Sequence, residues 1–416
     1  MNTNFTRVLN VSLRGLTLAA KFGMLAFMAV SMSPADVGHY GLLTAAIGWT
    51  MYLVGWEFYT FSIREIIAQG PGHVRAIVRN QAALYAVTYL IISPIIVLVF
   101  FTDTLPARYG YWFAALLVLE HLGLEAGRVL VALSRPLLSS VVLFLRGGAW
   151  CLVAIAAMLA LPQLRNLDFV LASWTAGSAV GLLLSLRTLL RLTGQTGANS
   201  INWRWIVKGL SVALPLMIAS LSLRGVFTID RVWIELIGGA EVLGAYVLFI
   251  GVATAILSFV DAGIVDFAYP RIVLAARSGK SEEFRTEMRR LAATVAGAVV
   301  FLSTVCWFGF VFFLEFLPNP VYQQNMGLLA PIVLAIALYG ISSVPHLALY
   351  AHNYDGTIVA SHLVAAAIFI AVIYTLNPVI GISSIPLALN VVFGVILVWK
   401  SAVCVHLFGR LTVDRD

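Results

Sequence analysis

The run LAATVAGAVVF from Leu291 to Phe301 and the run IISPIIVLVFF from Ile91 to Phe101 decide the fold. Neither alternates polar with apolar residues, as the ten-residue strands of a membrane β-barrel do. Each belongs to a stretch of about 20 mostly apolar residues, the length an α-helix needs to cross the hydrocarbon core with every backbone amide bonded internally. Ten more such stretches follow or precede them, giving spans at 9–31, 39–60, 80–101, 110–131, 137–160, 168–189, 207–234, 241–263, 291–314, 327–349, 356–375 and 379–399. Of the 416 residues 61% are apolar and 11% charged, under half the share of about 25% usual in soluble proteins. A soluble globule is excluded, and an all-α polytopic membrane protein of about twelve transmembrane helices is predicted. Cys151, Cys306 and Cys404 stand apart in apolar sequence, so neither a disulfide framework nor a thiolate metal site is expected.

The net charge of +7 is distributed by loop. With the N-terminus cytoplasmic, nineteen of the 26 Lys and Arg fall on the inward side, three on the outward side and four within spans. This asymmetry predicts cytoplasmic termini and argues against a nucleic-acid partner. No detachable targeting segment is expected at the first apolar run. The outward connections near Ser33, Thr104, Pro162 and 318–324 are too short for a domain, and the larger ones, at 61–79, 190–206 and 264–290, face inward. Arg277 to Arg290, with Glu282, Glu283 and Glu287 between, reads as an interfacial helix that meets solvent, anionic lipid or a cytoplasmic partner.

Twelve spans invite a comparison of 1–200 with 201–416 as two six-helix bundles. Arg14-Gly15-Leu16-Thr17 corresponds to Lys208-Gly209-Leu210-Ser211. Ala35-Asp36-Val37-Gly38-His39-Tyr40 corresponds to Ala240-Glu241-Val242-Leu243-Gly244-Ala245-Tyr246. The intervals differ by eleven residues, which a longer seventh helix bent near Pro215 absorbs. With Pro34 through Tyr40, Asp230-Arg231, Gly239 and Gly244-Ala245-Tyr246, the chain resembles the polysaccharide transporters of the multidrug/oligosaccharidyl-lipid/polysaccharide (MOP) exporter superfamily, the O-antigen and exopolysaccharide repeat-unit flippases. The resemblance implies two pseudo-symmetric bundles around a central cavity and a lipid-linked oligosaccharide as cargo. Its specific words cover fewer than thirty residues, and the region beyond 320 carries none of them.

Ionisable side chains inside spans cost about 2.5–3.5 kcal/mol each on insertion scales and so mark water, partners or function. Arg14 and Lys21, seven residues apart, share one helical face about 10 Å long. They line an anion path or anchor the helix. Arg146 sits near the middle of the fifth span beside Gly147 and Gly148 and either faces an anion or pairs with a carboxylate. Arg224 and Arg231 make a second seven-residue stripe, with Asp230 beside them. This cluster is a cavity wall or an outer-end anchor. The fourth span carries Glu120, His121, Glu125 and Arg128. Glu120 points about 140° away from Glu125, so that one of them pairs with Arg146 or Arg14. Glu57, Glu120, His121, Glu125 and Asp261 form a set for proton or sodium coupling and gating, or else a set of fixed ion pairs. Gly123-x-x-x-Gly127 and Gly177-x-x-x-Gly181 are helix-contact patterns.

No phosphate-binding loop, His-Glu-x-x-His or Gly-x-Ser-x-Gly occurs, so no ATPase or hydrolase chemistry is signalled and no cofactor is expected beyond a coupling proton or sodium ion. The reading is a flippase that moves a polyprenyl-pyrophosphate-linked oligosaccharide across the bacterial inner membrane. Membrane lipids and polysaccharide assembly proteins are its expected partners. A small-molecule or drug exporter of the same superfamily is the nearest alternative. A membrane glycosyltransferase or polymerase is the alternative from another class, and it lacks the aqueous loop that such chemistry needs.

Overall fold

The computed structural model describes residues 3–100, 106–192, 200–279 and 281–410. The connection expected around Thr104, the middle of the 190–206 connection and Lys280 lie outside the described residues. Among the described residues there is no strand, and thirteen helices of eleven residues or more carry the chain. They are α1 (Thr3–Ser31), α2 (Pro34–Gly55), α3 (Tyr59–Gln69), α4 (Val74–Phe100), α5 (Gly110–Ala132), α6 (Pro136–Ala160), α7 (Leu167–Leu192), α8 (203–238), α9 (240–277), α10 (Ser281–Leu314), α11 (Leu329–Ala351), α12 (Asp355–Ile380) and α13 (Ser384–Arg410). Two of them contain a π-helical turn, Leu145–Ala149 in α6 and Asp261–Val265 in α9.

Each of the twelve expected spans overlaps one of these helices, α3 being the addition. By length and apolar composition seven continuous helical stretches among the described residues qualify as membrane-crossing. Two of these, Trp203–Arg277 and Asp355–Leu407, are 75 and 53 residues long and hold two spans each. The second span stops short of its expected end because Trp56 and Glu57 both turn left-handed, with φ of 54° and 52°. The chain then restarts as α3, which Gly70 ends with a φ of 78° just before Pro71.

The break between the seventh and eighth spans falls at Gly239, inside the gap left at 235–240, with a φ of 79° and a ψ of 173° that suit glycine alone, and the helix before it runs on through Pro215. One local expectation is corrected. The stretch 277–290 is not a separate interfacial helix. Its described residues are the end of α9 with Ser278 and Gly279 and, from Ser281, the first part of α10, a helix about 51 Å long at 1.5 Å per residue. Its polar opening is supported by an Arg285–Glu282 pair at 3.1 Å, one helical turn apart, so the helix continues past the thickness of the hydrocarbon core.

The residues form two compact units, one of Met1–Met32 with His39–Met217 and the other of Ser33–Gly38 with Ile218–Asp416. In the first, Ile66, Val74, Ile77, Ala126, Val129, Leu130, Val142 and Leu189 bring α3 to α7 around one apolar cluster. Phe58, Phe61, Leu84, Tyr85 and Ile206 form a second, on which Trp205 packs edge-on against Phe58. Gly209 lies flat on Phe58 and Phe61, with no room for a Cβ. In the second unit α13 packs along α11 and α12, and α10 along α11. Its short segment seats Gly38 against α9, where a Cβ would stand 2.5 Å from the Ala240 carbonyl oxygen and a Cβ on Gly244 would overlap the Pro34 carbonyl. The two similar words of sequence thus touch each other, glycine to glycine.

Candidate functional site

In the first unit α1 lies against α6, and glycine makes the approach possible: a Cβ on Gly148 would be 2.9 Å from the Thr17 Cα. Arg14 and Lys21, about one turn to either side of Thr17, are both exposed. Arg14 Nε donates to Ser140 Oγ at 3.4 Å, and Ser140 in turn donates to the Asn10 side chain. Lys21 lays its aliphatic stem over Gly147, where a Cβ would meet its Cε at 3.1 Å, and its ammonium has no hydrogen-bond partner among the described residues. Among the described residues no carboxylate lies within 4.0 Å of either cation. An uncompensated ammonium at this depth requires water or an anion at its head.

Arg146 comes from the neighbouring turn of α6 yet points the other way. It is 8% exposed and donates through Nη1 to the Glu120 backbone oxygen at 2.7 Å, with the Glu120 carboxylate at 3.2 Å. The other oxygen of that carboxylate accepts from Trp174 Nε1 at 3.0 Å and from Ser178 Oγ at 2.6 Å. Glycines on both neighbours make the space: a Cβ on Gly123 of α5 would stand 2.9 Å from Arg146 Cδ, and one on Gly181 of α7 would stand 3.1 Å from Arg146 Cβ. The π-helical turn at Leu145–Ala149 carries Arg146 itself. Of the two carboxylates of α5, Glu120 is the one paired with Arg146.

Glu125 anchors a separate network on the opposite side of α5. Its carboxylate accepts from Gln81 at 2.6 Å, from the Tyr85 hydroxyl at 2.9 Å and from Arg128. The Arg128 guanidinium lies 3.4 Å from the centre of the Tyr59 ring. His121 is 1% exposed and its Nδ1 lies 3.0 Å from the Tyr89 hydroxyl. Glu57, 6% exposed, closes the cluster with Tyr52, Tyr59, His121, Glu125 and Arg128 around a cavity of about 10 Å³, near the space of one water. Glu57 lines it and, with its neighbour Trp56, is left-handed, a backbone state that costs non-glycine residues about 1–3 kcal/mol each. Gln81, Tyr85 and Tyr89 were not singled out on sequence, although their spacing of four puts a polar stripe on one face of α4.

The second unit holds the remaining candidates. Asp230 is fully buried: its carboxylate accepts from the Tyr246 hydroxyl at 2.6 Å and from the Arg231 backbone N–H at 2.6 Å, with the Arg231 guanidinium at 3.4 Å. Arg231 also donates to the Phe227 carbonyl. Asp230 and Tyr246 thereby clasp α8 to α9 across the break at Gly239. Arg224, two turns earlier, is exposed. Asp261 is exposed at the start of the π-helical turn in α9, five residues from Asp266. The structure therefore gathers Glu57, His121 and Glu125 into one cluster, Glu120 and Arg146 into a second, Arg14 and Lys21 onto one face, and Asp230 and Arg231 into a clasp. Among the described residues no three His, Cys, Asp or Glu side chains converge as metal ligands.

No protein-family model matches the chain, and no curated protein matches it in sequence. Solved structures do. A multidrug-resistance MATE family transporter of the MOP superfamily, in an inward-facing conformation, superposes with a TM-score of 0.73 at 10% identity, covering 98% of this chain and 99% of that one. The lipid II flippase MurJ in an inward closed conformation gives 0.71 at 11% identity over 96% of this chain and 87% of its own. A MOP superfamily transporter from Pyrococcus furiosus, described as having a binding pocket of reverse polarity, gives 0.64 at 12% identity over 98% and 96%. The chain has the all-helical fold of these MOP-superfamily transporters.

Proposed function

We propose that the protein is a flippase that carries a polyprenyl-pyrophosphate-linked oligosaccharide across the bacterial inner membrane by alternating access, with both termini cytoplasmic. The observation that carries this reading is the pair of cations on α1: Arg14 and Lys21 are exposed on one face, seven residues apart, with no carboxylate within 4.0 Å of either among the described residues. A pyrophosphate headgroup supplies the counter-charge that this face lacks, and charge-assisted hydrogen bonds from two cations offset its loss of water. The polyprenyl tail stays in hydrocarbon throughout, so only the headgroup needs a polar route. The MurJ likeness supports a lipid-linked cargo, because that protein is a lipid II flippase. Export of a cationic drug would instead need exposed acidic side chains, and in the first unit Glu120 and Glu125 are both engaged by arginine.

The test is movement of a fluorescent polyprenyl-pyrophosphate oligosaccharide between leaflets of reconstituted vesicles. The wild type is expected to move it and Lys21→Ala to move it slowly at equal protein level. Transport of unlinked solutes with no movement of the lipid-linked glycan would overturn the reading in favour of a general exporter.

A further inference from the structure

The second unit contains a cluster that no local sequence pattern signals. α11, α12 and α13 each contribute one basic side chain to it: His346, His362 and Lys400. On sequence Lys400 counts among the inward-side cations at span ends, yet it is 1% exposed. Its Nζ stands 3.1 Å from His346 Nδ1 and 3.1 Å from His362 Nε2. The two imidazoles lie parallel within 7°, their centres 6.3 Å apart. The other polar groups facing them are the Cys404 thiol, one turn along α13 and donating to the Pro345 carbonyl at 3.4 Å, and the Ala219 backbone beside His362. Among the described residues no carboxylate lies within 4.0 Å of any of the three side chains.

Proton counting restricts what this site can hold. A lysine ammonium has three donors and no acceptor, and a neutral imidazole has one bare nitrogen. Both 3.1 Å contacts are hydrogen bonds from the ammonium only if His346 is bare at Nδ1 and His362 is bare at Nε2, hence both neutral. A second positive charge would face the first across one hydrogen-bond length with no anion to offset it. Three bases therefore compete for a single proton. With it bound, two charge-assisted N–H···N bonds tie three helices at one point; without it the same contacts are between neutral groups and about half as strong.

We propose that His346, His362 and Lys400 form a single-proton binding site and that its loading and emptying couple a proton to the transport cycle, the coupling role alone resting on the flippase reading. The site is tested on the full-length protein in lipid nanodiscs without cargo, by magnetic resonance of carbon-labelled lysine and histidine. The chain has four lysines and seven histidines, so each signal is assignable by substitution. Lys400, His346 and His362 are expected to report one shared protonation step, and Lys400→Met is expected to move its midpoint at both histidines. Lys400→Arg, which holds its proton permanently, is the second variant and should abolish the step with the charge retained. Histidines that titrate at separate midpoints regardless of either substitution would overturn the proposal, as would the absence of any step at all three residues. Because no cargo is present, this outcome is independent of whether lipid-linked glycan moves in vesicles.

Discussion

Arg146 and Glu120 bind each other twice, through the carboxylate at 3.2 Å and through the Glu120 backbone oxygen at 2.7 Å, so this arginine is a tie between α6 and α5. Breaking one member of a buried pair strands the other, at a cost of about 3–5 kcal/mol. Arg146→Ala is therefore expected to lower the melting temperature in detergent, and Arg146→Met combined with Glu120→Gln to recover most of the loss. An Arg146→Ala protein that melts like the wild type but no longer moves lipid-linked glycan would assign Arg146 to the cargo instead.

Lys21 has the opposite character. No partner among the described residues is lost with it, so Lys21→Ala should leave the melting temperature within about 1 °C of the wild type, as a surface change does. A hydrogen bond to a charged group is worth about 1.5–3 kcal/mol, which corresponds to a fall of about ten- to a hundredfold in glycan translocation. Lys21→Arg is expected to retain most of it. Initial rates in vesicles matched for protein content decide.

Gly177 leaves less room than its helix pattern suggests, since a Cβ there would lie 2.7 Å from the Trp150 Cβ. Gly177→Ala should destabilise by about 1–3 kcal/mol through overpacking. Gly297→Ala on α10, with nothing within 4 Å of the added atom, is the matched control and should be neutral or slightly stabilising. Thermal melting of the two variants side by side reads the difference.

Tyr246→Phe removes one hydrogen bond from the fully buried Asp230 and leaves its shape intact. The expected cost is about 1–3 kcal/mol in stability. Asp230→Asn, which keeps a side-chain oxygen for the Arg231 N–H, should cost less than Asp230→Ala. Melting of all three at the wild-type temperature would show that the clasp across Gly239 adds nothing.

Glu57 offers a test in which stability and transport separate. Its φ of 52° suits glycine, so Glu57→Gly relieves backbone strain and should raise stability by about 1 kcal/mol. If the buried carboxylate beside His121 and Glu125 serves gating, the same variant will transport more slowly despite melting higher. A variant both more stable and fully active would remove Glu57 from the gating set.

The spans were legible because length and apolarity are one-dimensional properties, and Leu291 to Phe301 needs no neighbour to be read. Arg146 was legible as a costly charge, but its partner was not: Glu120 and Glu125 are both on α5, and only the packing of α6 and α7 selects the first. α3 escaped because Tyr59 to Gln69 has no long apolar run, and the restart after Trp56 and Glu57 depends on two left-handed residues that no glycine announces. The gap at 235–240 was legible between two apolar runs, but the φ of 79° at Gly239 that makes the break was not, since a positive φ is invisible in sequence. The lysine between His346 and His362 draws one residue from each of three helices, so no spacing rule could have found it.

The six residues Ser33–Gly38 belong with the second unit although they follow α1 directly. A gene divided into two coding halves anywhere after α2 would thus yield a downstream polypeptide missing a piece of its own interior, with Ala240 and Gly244 left facing an unfilled slot. Split-protein reconstitution should succeed only where the upstream fragment is co-expressed, or where those six residues are returned as a graft.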